Sequence, residues 1–154
     1  NANGLTPLCL AATSPAGLHS VRTLIEMGMH VNPTGTRDGV TPLMKACSVV
    51  SVHAAHGNGR PNNRDIMAPI VKRLLDAGAD VNAQMTTSKN TALHLAASRG
   101  SLQLCQALME KGADSTLKDR GGLTAIDVAQ RNRYREVVVF IQGFDGGDEW
   151  VPVE

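Results

Sequence analysis

One short phrase recurs four times along the 154 residues of this chain, and it constrains the fold more than any other feature. Thr-Pro-Leu begins at Thr6 and again at Thr41, Thr-Ala-Leu-His begins at Thr91, and Thr-Ala-Ile begins at Thr124. The successive spacings are 35, 50 and 33 residues. Self-similarity at a period of about 33 residues is typical of small units that stack on their neighbours. We therefore predict a stacked array of repeated units.

Residues 86–118 show what one unit contains. Thr91 precedes a run of small apolar residues and is a favoured N-cap, because its hydroxyl accepts a hydrogen bond from a free N–H of the first turn. Gly100 ends that helix. A second helix over 102–111 carries apolar side chains on one face, and Gly112 suits a left-handed C-cap. A unit this small buries its apolar face only by packing against neighbouring units.

The composition suits such an array. Apolar residues make up 42% of the chain but aromatic residues only 3%, so the core must be built from aliphatic side chains and Met. Fifteen bases and ten acids before Gly143 give this part a formal charge of +5, whereas the last twelve residues hold four acids and no base. A charge of +5 is modest and gives no case for nucleic acid. Three Cys without CxxC spacing indicate neither a disulfide framework nor a zinc site.

These motifs resemble the ankyrin repeat family, whose units open with G-x-T-P-L-H-x-A-A and close with L-L-x-x-G-A-D-V-N-A. The recurring phrase carries the first half of the resemblance, and Gly78-Ala79-Asp80-Val81-Asn82 carries the second. The resemblance covers about residues 1–142 and implies an all-α solenoid of helix-turn-helix units joined by β-turn fingers, with a concave binding face. The predicted repeats are about 1–35, 36–85, 86–118 and 119–142, followed by an acidic tail over 143–154.

Only the third unit keeps the family's histidine, at His94. Cys9, Met44 and Asp127 stand at the equivalent places of the other units. In the family this histidine ties neighbouring turns together by hydrogen bonds. The resemblance therefore implies a structural role for His94 and a third unit that stabilises the stack.

The second unit is longer than the others. Thr41 and Gly78 are 37 residues apart, whereas Thr91 and Gly112 are 21 apart, so about 16 residues are inserted, roughly over 48–65. Loop-closure entropy grows slowly with length, so an insertion of this size costs little stability. We expect a long loop on the edge away from the fingers.

Within that insertion, residues 57–64 are rich in turn formers and poor in apolar residues, which favours an exposed, mobile segment. His53 and His56 would share one helical face, but a pair without a third ligand does not indicate a metal site. We expect instead that the preceding helix continues toward Gly57.

The two ends of the array carry opposite signals. Ser20 and Thr23 stand where other units have apolar residues, which favours a first unit that caps the stack. Residues 137–141 are apolar on nearly every side of their predicted helix. We expect part of the tail to fold back over them with Phe144 or Trp150 in contact; the alternative is a disordered acidic tail.

No pattern of a nucleotide-binding, metalloprotease, serine hydrolase or EF-hand site is present, so the sequence predicts no catalytic residue, no metal and no cofactor. The resemblance implies instead that a protein or peptide binds the fingers and the exposed positions of the inner helices. Carried over by motif position, the candidate partner-binding residues are Arg37, Asp38, Val40, Lys45, Thr87, Ser88, Asn90, Ser98, Arg99, Arg120, Leu123, Arg131 and Asn132. Five are basic and one is acidic, which favours an acidic or phosphorylated partner. The alternative is that they are solvated positions without a partner.

Asn82 and Asn32 are candidate modification positions. Each lies eight residues after a leucine in the Val-Asn turn that asparaginyl hydroxylation uses in the ankyrin family, and Asn82 matches the better. The simpler interpretation is that Asn suits this turn because it tolerates left-handed backbone geometry.

Taken together, these features predict a non-catalytic protein–protein interaction module that is monomeric as a fragment and engages neither nucleic acid nor the membrane interior. Two alternatives stay open: a regulatory segment of a larger enzyme or channel, and the substrate-recognition part of a ubiquitin-ligase adaptor. The chain has no signal-peptide pattern and no bilayer-length apolar run, so we expect an intracellular location in cytoplasm or nucleus. Its start at Asn1, without Met, suggests a piece of a longer protein.

Overall fold

The computed structural model describes residues 4–33, 36–49 and 67–145, and this part of the chain contains α-helices and turns but no β-strand. The predicted all-α fold is confirmed. Two short 3₁₀ turns, Pro15–Gly17 and Arg37–Gly39, accompany the helices. The α-helices are α1 Pro7–Ala11, α2 Leu18–Glu26, α3 Pro42–Ser48, α4 Ala68–Asp76, α5 Ala92–Arg99, α6 Leu102–Glu110, α7 Ala125–Arg131 and α8 Arg135–Asp145.

The helices form two layers of a stack. In the inner layer α1 packs on α3, α3 on α5, and α5 on α7. In the outer layer α2 packs on α4, α4 on α6, and α6 on α8. Each inner helix also packs on the outer helix that follows it, which gives four consecutive helix pairs. None of the helices in the described ranges has the length and apolarity needed to cross a bilayer.

A threonine starts each inner helix, as the recurring phrase predicts. Its backbone is extended, and its hydroxyl accepts a hydrogen bond from the N–H three residues later, which satisfies one of the free donors of the first turn. The four Thr Oγ1 to N distances are 3.2 Å to Cys9, 3.2 Å to Met44, 3.3 Å to His94 and 3.3 Å to Asp127.

The core is aliphatic, as the composition predicts. Leu8, Leu43 and Leu93 occupy equivalent positions after the capping threonines and are fully or almost fully buried. Ile126, at the same position of the last pair, is only half-buried. The reason is its place in the stack: in the described part of the chain no further inner helix packs on α7.

Extended turn segments project beside the inner layer and lie next to one another. We call them fingers: finger 36–41, finger 85–90 and finger 118–123. The Thr86 N–H donates to the Asp38 carbonyl at 2.8 Å, and the Arg120 N–H donates to the Ser88 carbonyl at 2.8 Å. Backbone hydrogen bonds therefore connect each finger to the next and fix their spacing.

The connection between α3 and α4 begins earlier than the sequence predicts. α3 ends at Ser48, and Val49 is already extended with φ −69° and ψ 119°. The expected continuation of this helix toward Gly57 is therefore wrong. His53, His56 and nearly all of the predicted insertion lie outside the described residues.

The last helix continues past residue 142, where the tail was expected to begin. Val137, Phe140 and Ile141 are buried against the stack, whereas Val139 and Phe144 are 48% and 46% exposed. Phe144 belongs to α8 itself, and its ring centroid lies 5.8 Å from that of Phe140. The expected contact of Trp150 falls outside the described residues.

The exposed surface of the first pair is mixed in character. Ser20 and Thr23 of α2 are exposed, and the role of this pair as a capping unit stays a prediction. Leu10 and Met27 of the same pair are exposed as well.

Candidate functional site

A groove lies on the inner side of the stack, between the third and fourth helix pairs. Its floor and walls come from α5, α7 and the two fingers that precede them, and its volume is about 300 Å³. We call it the 5/7 groove; its lining residues are Asn90, His94, Leu95, Ser98, Asp119, Leu123, Val128, Arg131 and Asn132.

Five of the predicted partner-binding residues meet in this groove. They are far apart in sequence, but their elements are neighbours in the stack: Asn90, Ser98, Leu123, Arg131 and Asn132. Ser98, Arg131 and Asn132 are exposed, and Asn90 and Leu123 are half-buried. Five of the thirteen candidates chosen by motif position thus line this groove, and their role in binding stays a prediction.

His94 lies at the base of the groove and joins its two sides. The imidazole Nε2 lies 3.0 Å from the Leu123 carbonyl oxygen, and Nδ1 lies 3.3 Å from the Thr91 nitrogen. Because a backbone N–H only donates, Nδ1 is the acceptor, and Nε2 then carries the proton that is donated to Leu123. This is the hydrogen-bonding role that the family resemblance implies for His94.

Asp119 shapes the finger side of the groove. One carboxylate oxygen accepts hydrogen bonds from the N–H groups of Gly121 at 2.8 Å and Leu123 at 2.9 Å. These bonds close the tip of finger 118–123 and hold Leu123 in place. The carboxylate therefore stabilises a turn, although it also lines the groove.

Other predicted residues connect the fingers to one another. The Thr87 hydroxyl donates to the Asp38 carboxylate at 2.6 Å, and an Arg120 guanidinium nitrogen lies 3.5 Å from the Thr87 carbonyl. Ser88 supplies the carbonyl that accepts from the Arg120 N–H. These four residues stabilise the row of fingers, and they lie outside the 5/7 groove.

The predicted residues of the second pair lie farther along the stack. Arg37 is exposed, and Val40 and Lys45 are half-buried. Arg99 is also half-buried, and its Nη1 donates to the Cys47 carbonyl at 2.9 Å. Since Cys47 belongs to the last turn of α3, this contact satisfies one of the carbonyls that a helix C-terminus leaves free.

Leu95 and Val128 were not among the sequence candidates, yet they give the groove its apolar surface. Each lies four residues after its capping threonine, which is also the register of the candidate Lys45. That register was the available signal, because side chains at one motif position face the same side of a regular stack.

Asn32 and Asn82 connect successive helix pairs through their side-chain amides. The Asn32 amide nitrogen donates to the Gly78 carbonyl at 3.0 Å, and its oxygen accepts from the Asp80 N–H at 2.7 Å. Asn82 repeats the arrangement with Gly112 at 3.1 Å and Asp114 at 2.7 Å. Both residues are exposed, but both of their polar atoms have partners within the stack.

Near the groove, the pKa of one carboxyl group is shifted by the residue that it contacts directly. The pKa of Asp127 lies below its usual value because its carboxylate accepts hydrogen bonds from the backbone N–H and then the hydroxyl of Thr124, both at 2.9 Å. In the described ranges no three His, Cys, Asp or Glu side chains come close enough to hold a metal ion.

Stacked helix pairs with fingers in register define a helical-repeat protein. The family model described as "Ankyrin repeats (3 copies)" matches residues 61–147, which is more than half of the chain. The chain belongs to the ankyrin repeat family. Ankyrin repeats are a general protein–protein interaction module, and the family is generally non-catalytic.

Several curated proteins are similar over most of the chain. The mouse B-cell lymphoma 3 protein homolog is 33% identical over 138 residues, covering 90% of this chain and 27% of its own length. The zebrafish ankyrin repeat and SAM domain-containing protein 6 is 31% identical over 153 residues, covering 90% and 19%. The Drosophila neurogenic locus Notch protein is 36% identical over 91 residues, covering 59% and 3%. The chain thus spans about a quarter or less of the length of these relatives.

Proposed function

We propose that this chain recognises a partner protein or peptide through its concave side, and that the 5/7 groove is the centre of that contact. The observation that carries the proposal is the convergence of three finger residues and several α5 and α7 residues on one cavity of about 300 Å³. A cavity of this size accepts one or two side chains of a bound segment, and both apolar and polar groups line it.

The rigidity of the groove supports this proposal. His94 bonds α5 to the finger on the other side, and Asp119 fixes the turn of that finger. A surface that is already ordered loses little conformational entropy on binding, so more of the contact energy appears as affinity.

The charges of the candidate residues favour an acidic or phosphorylated partner. Arg37, Lys45 and Arg131 form no ion pair with another described residue, while the carboxylate of Asp38 already accepts from Thr87. Guanidinium groups bind carboxylates and phosphates through paired hydrogen bonds. We propose that the fragment acts as a monomer that presents this basic side.

A second candidate is a regulatory segment that docks on another part of its own protein. The lengths of the relatives favour it, since this chain covers only 27% and 19% of two of them. One of those relatives carries a SAM domain by name. The role of a ubiquitin-ligase adaptor would use the same concave side and differs only in what the rest of the protein recruits.

Hydroxylation of Asn82, and less readily of Asn32, is a separate proposal that rests on the family resemblance. Both amide groups are bonded to the next helix pair, so a modifying enzyme would have to open that turn. Intact-mass measurement after incubation with an asparaginyl hydroxylase tests it, and a chain that gains no oxygen atom would exclude it.

Blocking the groove tests the main proposal. Ser98 lies on the groove wall and is exposed, so Ser98→Trp fills the cavity without disturbing the core. Lys72→Trp places the same side chain on the exposed side of α4 and serves as the control. We expect proteins captured from cell extract by the wild type to be lost with Ser98→Trp and kept with Lys72→Trp. An unchanged set with Ser98→Trp would reject the groove.

A further inference from the structure

Three arginines lie close together where α7 turns into α8. Residues 131–135 read Arg-Asn-Arg-Tyr-Arg, and we call this segment the arginine turn. Arg131, Arg133 and Arg135 are all exposed, and none forms an ion pair with another residue of the described ranges. Glu136 follows directly and is exposed and unpaired within the same ranges. Of the residues in the arginine turn, Arg131 and Asn132 were among the sequence candidates.

The backbone of this turn is well fixed. The N–H groups of Asn132, Arg133 and Tyr134 donate to carbonyls of α7 at 3.1, 3.0 and 2.9 Å. Arg133 has φ +66°, in the left-handed region that reverses the chain direction. The guanidinium groups are therefore attached to a rigid turn, so a ligand that binds them need not order the backbone first.

Tyr134 ties the arginine turn to the third helix pair. Its ring lies directly over Gly100, so closely that a Cβ on Gly100 would overlap it. Gly100 is the C-cap of α5, whose last turn includes Ser98 and Arg99. The turn is thus held against the end of the helix that forms the opposite wall of the 5/7 groove.

The groove and the arginine turn are continuous. Arg131 and Asn132 line the groove together with Leu95, Leu123 and Val128, and they are also the first residues of the turn. Arg133 follows in the same turn, and Arg135 begins α8.

The charged residues that line the groove differ between its two ends, and Lys118 and Arg120 of the same finger are exposed outside the lining. Asp119 and the amide of Asn90 lie on the finger side, and the finger-side carboxylate is held there by two backbone N–H groups. The opposite end is lined by Arg131, and the exposed residues Arg133, Arg135 and Glu136 follow it in the chain. Like charges this close in sequence repel one another, and a ligand of opposite charge lowers that energy.

We propose that the 5/7 groove and the arginine turn form one peptide-binding site with a fixed polarity. An extended partner segment places one apolar side chain between Leu95, Leu123 and Val128, and its neighbouring Asp or Glu carboxylates bind the arginine turn. The inference rests on the proposed function and adds the ligand chemistry and the direction of the bound segment. The carboxylate of Asp119 disfavours an acidic residue at the finger end.

A peptide fits these features better than a nucleic acid does. The groove wall offers three aliphatic side chains, which suit an apolar side chain and give nothing to a phosphate backbone. A continuous polyanion would also have to pass Asp119, whereas a peptide carries its charges at one end only.

Selection from a displayed library of random short peptides on the 154-residue chain tests the proposal. The test variant is Arg133→Asn with Arg135→Gln, because Asn tolerates the left-handed backbone at 133. The control variant removes two exposed bases of the outer helices, Arg22→Gln and Lys72→Gln. Circular dichroism checks that both variants keep the helical content of the wild type.

We expect selected peptides to carry Asp or Glu next to Leu, Ile, Val, Met or Phe. Their affinity should fall about three- to tenfold in the test variant, fall with added salt, and stay unchanged in the control variant. Chemical shift mapping of amide resonances should place them over 88–99 and 119–136.

Three results would overturn the inference: no enriched sequence, enrichment without acidic residues, or equal binding to the test variant. A short poly(U) RNA and the unlabelled peptide are compared as competitors of a bound peptide. If the RNA displaces it at the lower concentration, the result would favour a nucleic acid over a peptide as the ligand of this site. If the selected peptides show no acidic bias but their binding is abolished by Ser98→Trp, the proposed function stands and only the inference fails. If the Ser98→Trp variant binds every selected peptide as the wild type does, both fail.

Discussion

The imidazole Nε2 of His94 lies 3.0 Å from the carbonyl oxygen of Leu123, which joins the inner helix of the third pair to the finger of the fourth. The corresponding contact between the first and second pairs is weaker, with the Cys9 sulfur 4.0 Å from the Val40 carbonyl. Met44, at the same position of the second pair, has no polar hydrogen to donate. Of these contacts from the motif position of His94, the His94–Leu123 hydrogen bond is therefore the strongest. It connects the two units that form the 5/7 groove.

Removing the His94 contacts should destabilise the stack. His94→Phe keeps a ring of similar size but leaves the Leu123 carbonyl without its imidazole donor, so we expect a loss of about 2 kcal/mol in the free energy of unfolding. Met44→Leu is the matched control, because it conserves volume at the equivalent position and should cost under about 1.5 kcal/mol. Urea unfolding followed by circular dichroism measures both; equal effects would contradict the role given to His94.

Alanine substitutions at Gly100 and Gly112 distinguish the stability cost of backbone strain from the cost of steric overlap. Both have positive φ, +69° and +86°, but a Cβ at Gly100 meets the Tyr134 ring whereas one at Gly112 has nothing within 4 Å. We expect Gly112→Ala to cost about 1 kcal/mol and Gly100→Ala about 2–4 kcal/mol. Thermal or urea unfolding compares them. A Gly100→Ala variant as stable as Gly112→Ala would mean that the ring moves away freely.

Arg99 and Arg131 should behave differently although both were predicted to bind a partner. Arg99→Gln loses the charged hydrogen bond to the Cys47 carbonyl, and we expect a stability loss of about 1–2 kcal/mol. Arg131→Gln removes an exposed charge and should change stability by less than about 0.5 kcal/mol while weakening peptide binding. A stable Arg99→Gln variant would show that this helix cap contributes nothing. Charge reversal at Arg99 is accordingly a poor test of binding.

The lowered pKa of Asp127 predicts the direction in which folding stability changes with pH. The hydrogen bonds from the Thr124 N–H and hydroxyl hold the pKa of its carboxyl below the ordinary value of 3.8, so the folded state favours the ionised form. The corresponding stability is present above that value and is lost as the pH falls through the lower pKa of the folded state. Asp127→Asn should therefore be less stable than the wild type at a pH of about 7, and the difference in the free energy of unfolding should shrink in acid. A difference that does not change with pH would contradict this assignment.

Much of the fold followed from the sequence because its determinants are local. The capping threonines, the helix-ending glycine at 100 and the left-handed Gly112 each act within one turn of chain, and all three features are present. The periodic phrase then determined which elements lie side by side. His94 was interpreted correctly for the same reason, since its partner lies in the next repeat of a regular stack.

The remaining features depend on contacts between distant residues that no motif position encodes. The interaction of Arg99 with the Cys47 carbonyl joins residues 52 apart, and it arises where α3 ends earlier than expected. The incomplete burial of Ile126 reflects its place at the end of the inner layer. The Arg-x-Arg-x-Arg pattern of the arginine turn is visible in the sequence. The rigid backbone and the Tyr134–Gly100 contact, which make the turn part of the groove, appear only in three dimensions.

Nuclear magnetic resonance titration of the chain with a peptide selected on it tests the central claim most directly. If partners are recognised through the concave side, the perturbed amide resonances will belong to finger 85–90, finger 118–123, α5, α7 and the arginine turn. The resonances of the outer helices α2, α4 and α6 will stay in place. Perturbations confined to the outer helices would show that binding occurs elsewhere and would contradict the account.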